Sequence, residues 1–343
     1  MDKLRVGIAG YGVVGKRRHH FIDLHPKMKV VAVCDQTYSN HQFEINGIKY
    51  FNNHHDLLKE KLDVLFVCLP NDIAPIITIK ALELGLHVFC EKPPGRTVKD
   101  IQDVIEVEKR HPNLKLKYGF NHRYHDSVKM ALDKINSGEF GEVLNIRGVY
   151  GKSKIISFAG GWRSERSIAG GGILLDQGIH MLDLMRLFCG EFVEVKSFVE
   201  NSYWKHEIED NAFAIMKNID GKVAMIHSSA TQWQHRFVMD ISLTEGYIEL
   251  HGILSGSKSY GEERIIFGNR DDESINGQME FKTVNFLNDN SWKDEIFEFV
   301  ESIINNTPIQ SGNSNDALET MKLVYSIYYN DEEWRNKFNI TIN

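Results

Sequence analysis

Gly10-Tyr11-Gly12-Val13-Val14-Gly15 restricts this chain more than any other stretch. A G-x-G-x-x-G run alone is common. Here it directly follows the apolar run Leu4–Ala9 and precedes a helix-compatible segment. In that setting each glycine has a task. The first permits a tight turn, the second lets backbone approach a pyrophosphate, and the third lets helix and strand pack closely. The helix start then offers free N–H groups and a partial positive charge to phosphate. Asp35 follows Gly15 by 20 residues, at the end of a second apolar run, Val30–Cys34. A carboxylate there accepts the ribose hydroxyls and repels a 2′-phosphate, so NAD is expected over NADP.

Further apolar runs follow at Val64–Leu69, Leu86–Cys90 and Leu114–Tyr118. Continuous runs of this kind suit a parallel sheet buried on both faces. Between them, Ile73, Ile76, Ile77, Ala81 and Leu84 form one helix face, and Thr97 with Asp100 marks another helix start. The expected fold is α/β, beginning with a doubly wound Rossmann domain over residues 1–121.

The pattern changes over residues 122–343, which read as an α+β domain for substrate binding and oligomerisation. Helices are expected at Ser127–Ser137, Ile173–Cys189, Trp292–Asn305 and Asn315–Asn330. Strands are expected at Val193–Val199, Ala212–Lys217, Val223–Ser228, Phe237–Leu243 and Tyr247–Leu250, with another near Phe281–Phe286. Asp220-Gly221 and Glu245-Gly246 supply turns, which makes the second sheet open and mostly antiparallel. One sheet face is expected to pack on helices Ile173–Cys189 and Trp292–Asn305. The other then carries Phe213, Ile215 and Met225, more apolar surface than a wet face tolerates, so a homodimer or homotetramer is expected.

Composition narrows the function classes. Lys plus Arg is 40 against 47 for Asp plus Glu, a net charge of −7, which argues against a nucleic-acid footprint. No apolar run reaches a membrane span of about 20 residues. The strand-like start lacks a signal peptide's apolar region, and none of Cys34, Cys68, Cys90 and Cys189 forms a C-x-x-C pair. A cytoplasmic protein with reduced thiols is expected. His19-His20 and His54-His55 point to different faces of any regular element, so no metal is expected. The basic run Lys16–His20 reads as a solvated helix face.

Two places carry candidate chemistry. Glu91-Lys92-Pro93 follows the fourth strand, where ligands bind in open α/β sheets. A lysine there can polarise a substrate oxygen; a surface lysine in a proline-rich turn fits equally. Gly170-Gly171-Gly172 leads into a helix bearing Asp176 and His180, four apart on one face. The histidine can take a hydroxyl proton, or the pair can be one polar edge of a capped helix.

Taken together, Gly10–Gly15, Glu91-Lys92-Pro93, Trp162-Arg163, Gly170–His180 and the late helices resemble the glucose-fructose oxidoreductase / inositol dehydrogenase / rhizopine catabolism (Gfo/Idh/MocA) family over essentially the whole chain. The resemblance implies an NAD-dependent oxidoreductase. It makes Lys92 the catalytic lysine and places Asp176 and His180 at the substrate. Pro70, Asn71, Glu91, Trp162 and Arg163 would join Gly10–Gly15 and Asp35 around the cofactor. The sequence departs from the family in its Pro93-Pro94-Gly95 turn. Trp233 could stack on a sugar or base and Arg236 could pair with an anion, or both are exposed strand-end residues. Asn121 and Arg123 line the substrate site or hold the domains together. The expected substrate is a secondary alcohol of a sugar, cyclitol or nucleotide sugar. Alternatives are an enzyme that retains its NAD, cleaving glycosides or exchanging aldose and ketose, and a non-catalytic nucleotide-sensing regulator.

Overall fold

The computed structural model describes residues 3–154, 161–255, 259–269 and 280–342. The chain divides into two units. One comprises Met1–Asn121 with Trp292–Leu318, the other His122–Ser291 with Glu319–Asn343. The return of Trp292–Leu318 to the first unit differs from a single cut after residue 121.

The first unit is built on a seven-stranded sheet. Its strands are β1 (Leu4–Ala9), β2 (Met28–Cys34), β3 (Gln42–Ile45), β4 (Ile48–Phe51), β5 (Val64–Val67), β6 (His87–Cys90) and β7 (Leu116–Tyr118). Their order is β3-β4-β2-β1-β5-β6-β7. All pairings are parallel except β3 with β4. The order reverses between β1 and β5, and at such a switch point the carboxyl ends of strands open a crevice for ligands. The intervening helices form as their sequences dictate: Thr97 and Asp100 make the reciprocal capping box at the start of Val98–Glu108.

Two features of this unit depart from the sequence reading. The hairpin β3–β4 was not anticipated; it turns at Asn46 and Gly47, both with positive φ. The helix Ser291–Ile304, expected on the second sheet, puts Ile296, Phe299 and Val300 into the core formed by Val6, Ile8, Val30, Val64, Phe66 and Phe89. Its apolar stripe finds a partner on this sheet, with Phe299 edge-on to Phe66 and Phe89.

The second unit holds an eight-stranded sheet: β8 (Val143–Ser153), β9 (Phe192–Glu200), β10 (Asn211–Asn218), β11 (Val223–Gln232), β12 (Arg236–Leu243), β13 (Gly246–His251), β14 (Glu263–Asn269) and β15 (Lys282–Phe286). The order is β15-β14-β13-β12-β8-β11-β10-β9, and β8 with β11 is the single parallel pairing. Strands β8 and β14 were not anticipated. Strict alternation gives β10 one buried face, with Ala212, Ala214 and Met216, and one open face. On the open side Phe198, Phe213, Ile215 and Met225 are 72%, 41%, 50% and 44% exposed. The four cysteines are free thiols. No helix among the described residues is long and apolar enough to cross a membrane.

Candidate functional site

In the first unit, the predicted cofactor residues converge on the carboxyl edge of the sheet. Gly10 has φ +88°, and a Cβ there would stand 2.1 Å from the Cys68 carbonyl oxygen. A Cβ on Gly15 would stand 2.0 Å from the Gly10 carbonyl oxygen. Both positions admit glycine alone. At Gly12 a Cβ would meet nothing within 4 Å, so this glycine keeps an approach open instead of fitting a neighbour. The helix Val13–Asp23 begins there with no side-chain cap. Its first N–H groups therefore face outward for an anion. This is the cradle that a pyrophosphate requires, and the residues present fit NAD.

Asp35 stands just past β2. Its Oδ2 accepts from the Tyr11 amide at 3.1 Å, and its Oδ1 accepts from the Thr37 amide and hydroxyl at 3.0 and 2.7 Å. These bonds tie the carboxylate to the glycine turn and leave it acceptor capacity for ribose hydroxyls. The Tyr11 hydroxyl meets the ring of His19. Val13 is exposed at the helix start, with Val14 partly buried after it. Pro70 and Asn71 follow β5, where the Pro70 carbonyl accepts from the Ile73 and Ala74 amides and starts the next helix. Lys92 is half-buried beyond β6, and its bond to Pro93 is cis.

One residue of this edge was misread from sequence. Arg18 is fully buried rather than part of a solvated helix face. Its Nε donates to Glu91 Oε1 at 2.5 Å and its Nη1 to Glu295 Oε2 at 2.8 Å. The guanidinium lies between the rings of Phe89 and Trp292, 4.3 and 4.2 Å from their centroids. Glu91, expected to contact the cofactor, thus spends a carboxylate oxygen on Arg18. That bond pins the residue before Lys92 to the helix after the glycine turn. Burial drives the Glu295 carboxyl up to about 7, against the pull of Arg18, because one guanidinium serves two acids. No sequence signal separated Arg18 from its basic neighbours; its carboxylate partners lie 73 and 277 residues away.

In the second unit, Asp176 and His180 sit where the Gly170–Gly172 run delivers them. The segment opens as a short π-helix, Leu174–Gly178, and continues as the α-helix Ile179–Cys189. The buried Glu209 holds this start, accepting from the Gly172 and Leu174 amides at 2.7 and 3.0 Å and from the Tyr328 hydroxyl at 2.7 Å. A Cβ on Gly172 would stand 2.0 Å from the Glu209 carbonyl oxygen, which explains a glycine there. Burial raises the Glu209 carboxyl and the Tyr328 hydroxyl opposes it. Arg163 Nε lies 3.8 Å from Asp176 Oδ1, and the Arg163 guanidinium also covers Trp162 at 4.3 Å.

His180 belongs to a cluster that the sequence did not reveal. Its ring is stacked on His122, with centroids 3.7 Å apart and planes within 13°. His122 Nε2 is 3.2 Å from the Tyr150 hydroxyl. Tyr260 stands edge-on to Tyr150 at 5.3 Å and donates its hydroxyl to Gln177 Oε1 at 3.0 Å. Burial pushes both phenols up, with Asp176 adding to the shift in each. The second unit thus gathers a carboxylate, two imidazoles and two phenols around one helix start.

Arg123 makes a two-pronged pair with Asp183 at 2.7 and 2.6 Å, so its guanidinium stitches the turn Asn121–Tyr124 to helix Ile179–Cys189. Arg236 points away from the cluster. Its neighbour Phe237 packs edge-on to Tyr150 and faces His122, so period-two alternation sends Arg236 to the open sheet face beside Phe213 and Met225. Trp233 is 73% exposed, with the Lys154 ammonium 3.7 Å over its ring. Asn121 is buried at the start of its turn.

Comparison with known proteins matches both parts of the chain. Residues 4–120 match an oxidoreductase family with an NAD-binding Rossmann fold, and residues 128–249 match the GFO/IDH/MocA C-terminal domain. D-glucoside 3-dehydrogenase of Escherichia coli K12 is 29% identical over 268 residues, covering 70% of this chain and 74% of that protein. Inositol 2-dehydrogenase of Salmonella typhimurium LT2 is 25% identical over 263 residues, covering 74% and 76%. Levoglucosan dehydrogenase in complex with NADH superposes with a TM-score of 0.83 at 19% identity, covering 97% of this chain and 98% of that one. Myo-inositol 2-dehydrogenase from Lactobacillus plantarum gives 0.78 at 23% identity, covering 96% and 97%. At such identities the two structures speak for the fold.

Proposed function

This chain belongs to the Gfo/Idh/MocA family of oxidoreductases with an NAD-binding Rossmann domain, and from that premise we propose that it oxidises a secondary alcohol of a sugar, cyclitol or nucleotide sugar. The observation that carries the reading is the carboxyl edge of the first sheet, where the open Gly12, the uncapped helix start, Asp35 and Lys92 follow β1, β2 and β6. NAD, when bound, supplies the hydride acceptor.

The chain's residues would do the rest. The amides at Gly12–Gly15 hold the pyrophosphate, and Asp35 accepts the ribose hydroxyls. The Lys92 ammonium binds the reacting oxygen and stabilises the negative charge that develops on it. His180 takes the hydroxyl proton. Asp176 orients the substrate or the imidazole. Similarity to D-glucoside 3-dehydrogenase and inositol 2-dehydrogenase supports a polyhydroxylated substrate.

The test is incubation with NAD and a panel of sugars, inositols and UDP- or dTDP-sugars, read by NADH absorbance. Accumulating NADH with at least one class supports the dehydrogenase. Product without NADH would instead indicate an enzyme that retains its cofactor. On the substrate found, Lys92→Ala and His180→Ala should each lower kcat by about 10²–10⁴ while NAD still binds. Near-normal kcat in either variant would remove that residue from the chemistry.

A further inference from the structure

We infer that His122 is a positioning residue for His180, fixing the plane of its imidazole. The inference rests on the reading of His180 as the proton acceptor.

An imidazole turns readily about its Cβ–Cγ bond, since that torsion is broad and two-fold. A general base must instead aim one nitrogen within about 10–20° of the proton it takes. Something beyond the backbone has to hold the ring. His122 does so with its whole face: the centroids are 3.7 Å apart and the planes nearly parallel. That is nearer than the usual aromatic pair, whose centroids lie about 4.5–7 Å apart. The two side chains come from different elements, the turn Asn121–Tyr124 and the helix Ile179–Cys189, and both are buried, 7% and 5% exposed.

His122 can act as a fixed plate because it is itself held. Its Nε2 meets the Tyr150 hydroxyl at 3.2 Å. Phe237 stands across it at 6.0 Å, and His125 is edge-on at 5.5 Å. His125 is in turn tied by its Nδ1 to Glu263 at 2.7 Å, and the same carboxylate accepts from the Ser127 amide and hydroxyl. Glu263 thus anchors two residues of the segment that carries His122.

Burial keeps the Tyr150 phenol protonated, and the direction of its bond to His122 Nε2 follows the imidazole tautomer.

Kinetics on the intact enzyme separate this role from a structural one. His122→Ala should lower kcat about 10–100-fold, the penalty of a misaimed group, with substrate KM and NAD affinity within about threefold. His122→Phe, which restores a flat ring without the nitrogens, should recover most of that loss. In a His180→Ala background, His122→Ala should cost almost nothing further, because the residue it aims is gone. If His122→Ala yields no folded protein, His122→Asn takes its place. Normal kcat in the folded ring-free variant, or full additivity with His180→Ala, would overturn the inference. His180→Ala with normal kcat would overturn the underlying reading instead.

Discussion

Arg18 offers a test of how the first unit is held together. Arg18→Met keeps a long stem under Phe89 and Trp292 but removes the charge. Two acceptors at 2.5 and 2.8 Å lose their donor, and Glu295 is fully buried. Removing one partner of a buried charge pair costs about 3–5 kcal/mol, since the remaining ion cannot be hydrated. The loss should lie near the lower end at neutral pH. The carboxyl of Glu295 already titrates at about 7 and can shed its charge by taking a proton. Without the guanidinium it titrates higher still, so the deficit should shrink as pH falls. The assay is urea unfolding followed by circular dichroism, with Trp292 fluorescence as a local reporter; Trp292 is the one tryptophan of the first unit. The exposed Lys16→Met is the control, expected within about 0.5 kcal/mol of the parent. An Arg18→Met loss below about 1 kcal/mol, or one equal to the control, would refute the reasoning.

Three further outcomes follow from the same geometry. With a folded pKa near 7, above the ordinary carboxyl value of 4.5, Glu295 binds more protons folded than unfolded in that window. Its contribution is greatest below the unfolded pKa and is lost as pH rises toward 7; Glu295→Gln should flatten that slope in urea midpoints, and parallel curves would count against it. The parent should bind NAD at least about tenfold tighter than NADP, a difference of about 1.4 kcal/mol, and Asp35→Ser should narrow the gap; equal titration of both dinucleotides by the parent would dismiss the role of Asp35. The open face of the second sheet should pair with a copy of itself, so light scattering at low micromolar concentration should give a multiple of 39.4 kDa. Ile215→Asp, at a half-exposed position, should split that assembly without unfolding the chain; a single-chain mass for the parent would end the idea.

Legibility in the sequence followed the range of the interactions. The strand–turn–helix around Gly10–Gly15 is local, and each glycine does what its spacing indicates. The capping box at Thr97 and the left-handed Gly138 after helix Asp126–Ser137 are local too. The hairpin β3–β4 carries its own signal in Asn46-Gly47, but between short strands of mixed polarity that signal stands alone. Strand β8 was harder, since Gly148 and Gly151 interrupt its pattern. A Cβ at Gly148 would meet Met181 and Met185, so its reason lies in a helix packed across it. The site shows the same division. Asp176 and His180 were found because they are four apart. His122 and Tyr150 were not, because 58 and 30 residues separate them from His180. The face taken by Arg236 depends on the register of β12, where one step along the strand exchanges the two faces.

The return of Trp292–Leu318 to the first unit bears on how the chain comes off the ribosome. When residue 121 emerges, all seven strands of the first sheet exist, yet Phe66 and Phe89 still lack Ile296, Phe299 and Val300, and Arg18 lacks Glu295. About 180 residues must follow residue 121 before that core can close, so this early segment is among the last to be completed. Until then an apolar sheet face waits uncovered, a natural substrate for a holdase chaperone. A fragment ending at residue 121 would be frozen at that stage. An autonomous first unit needs its returning helix grafted by a short linker onto the end of β7.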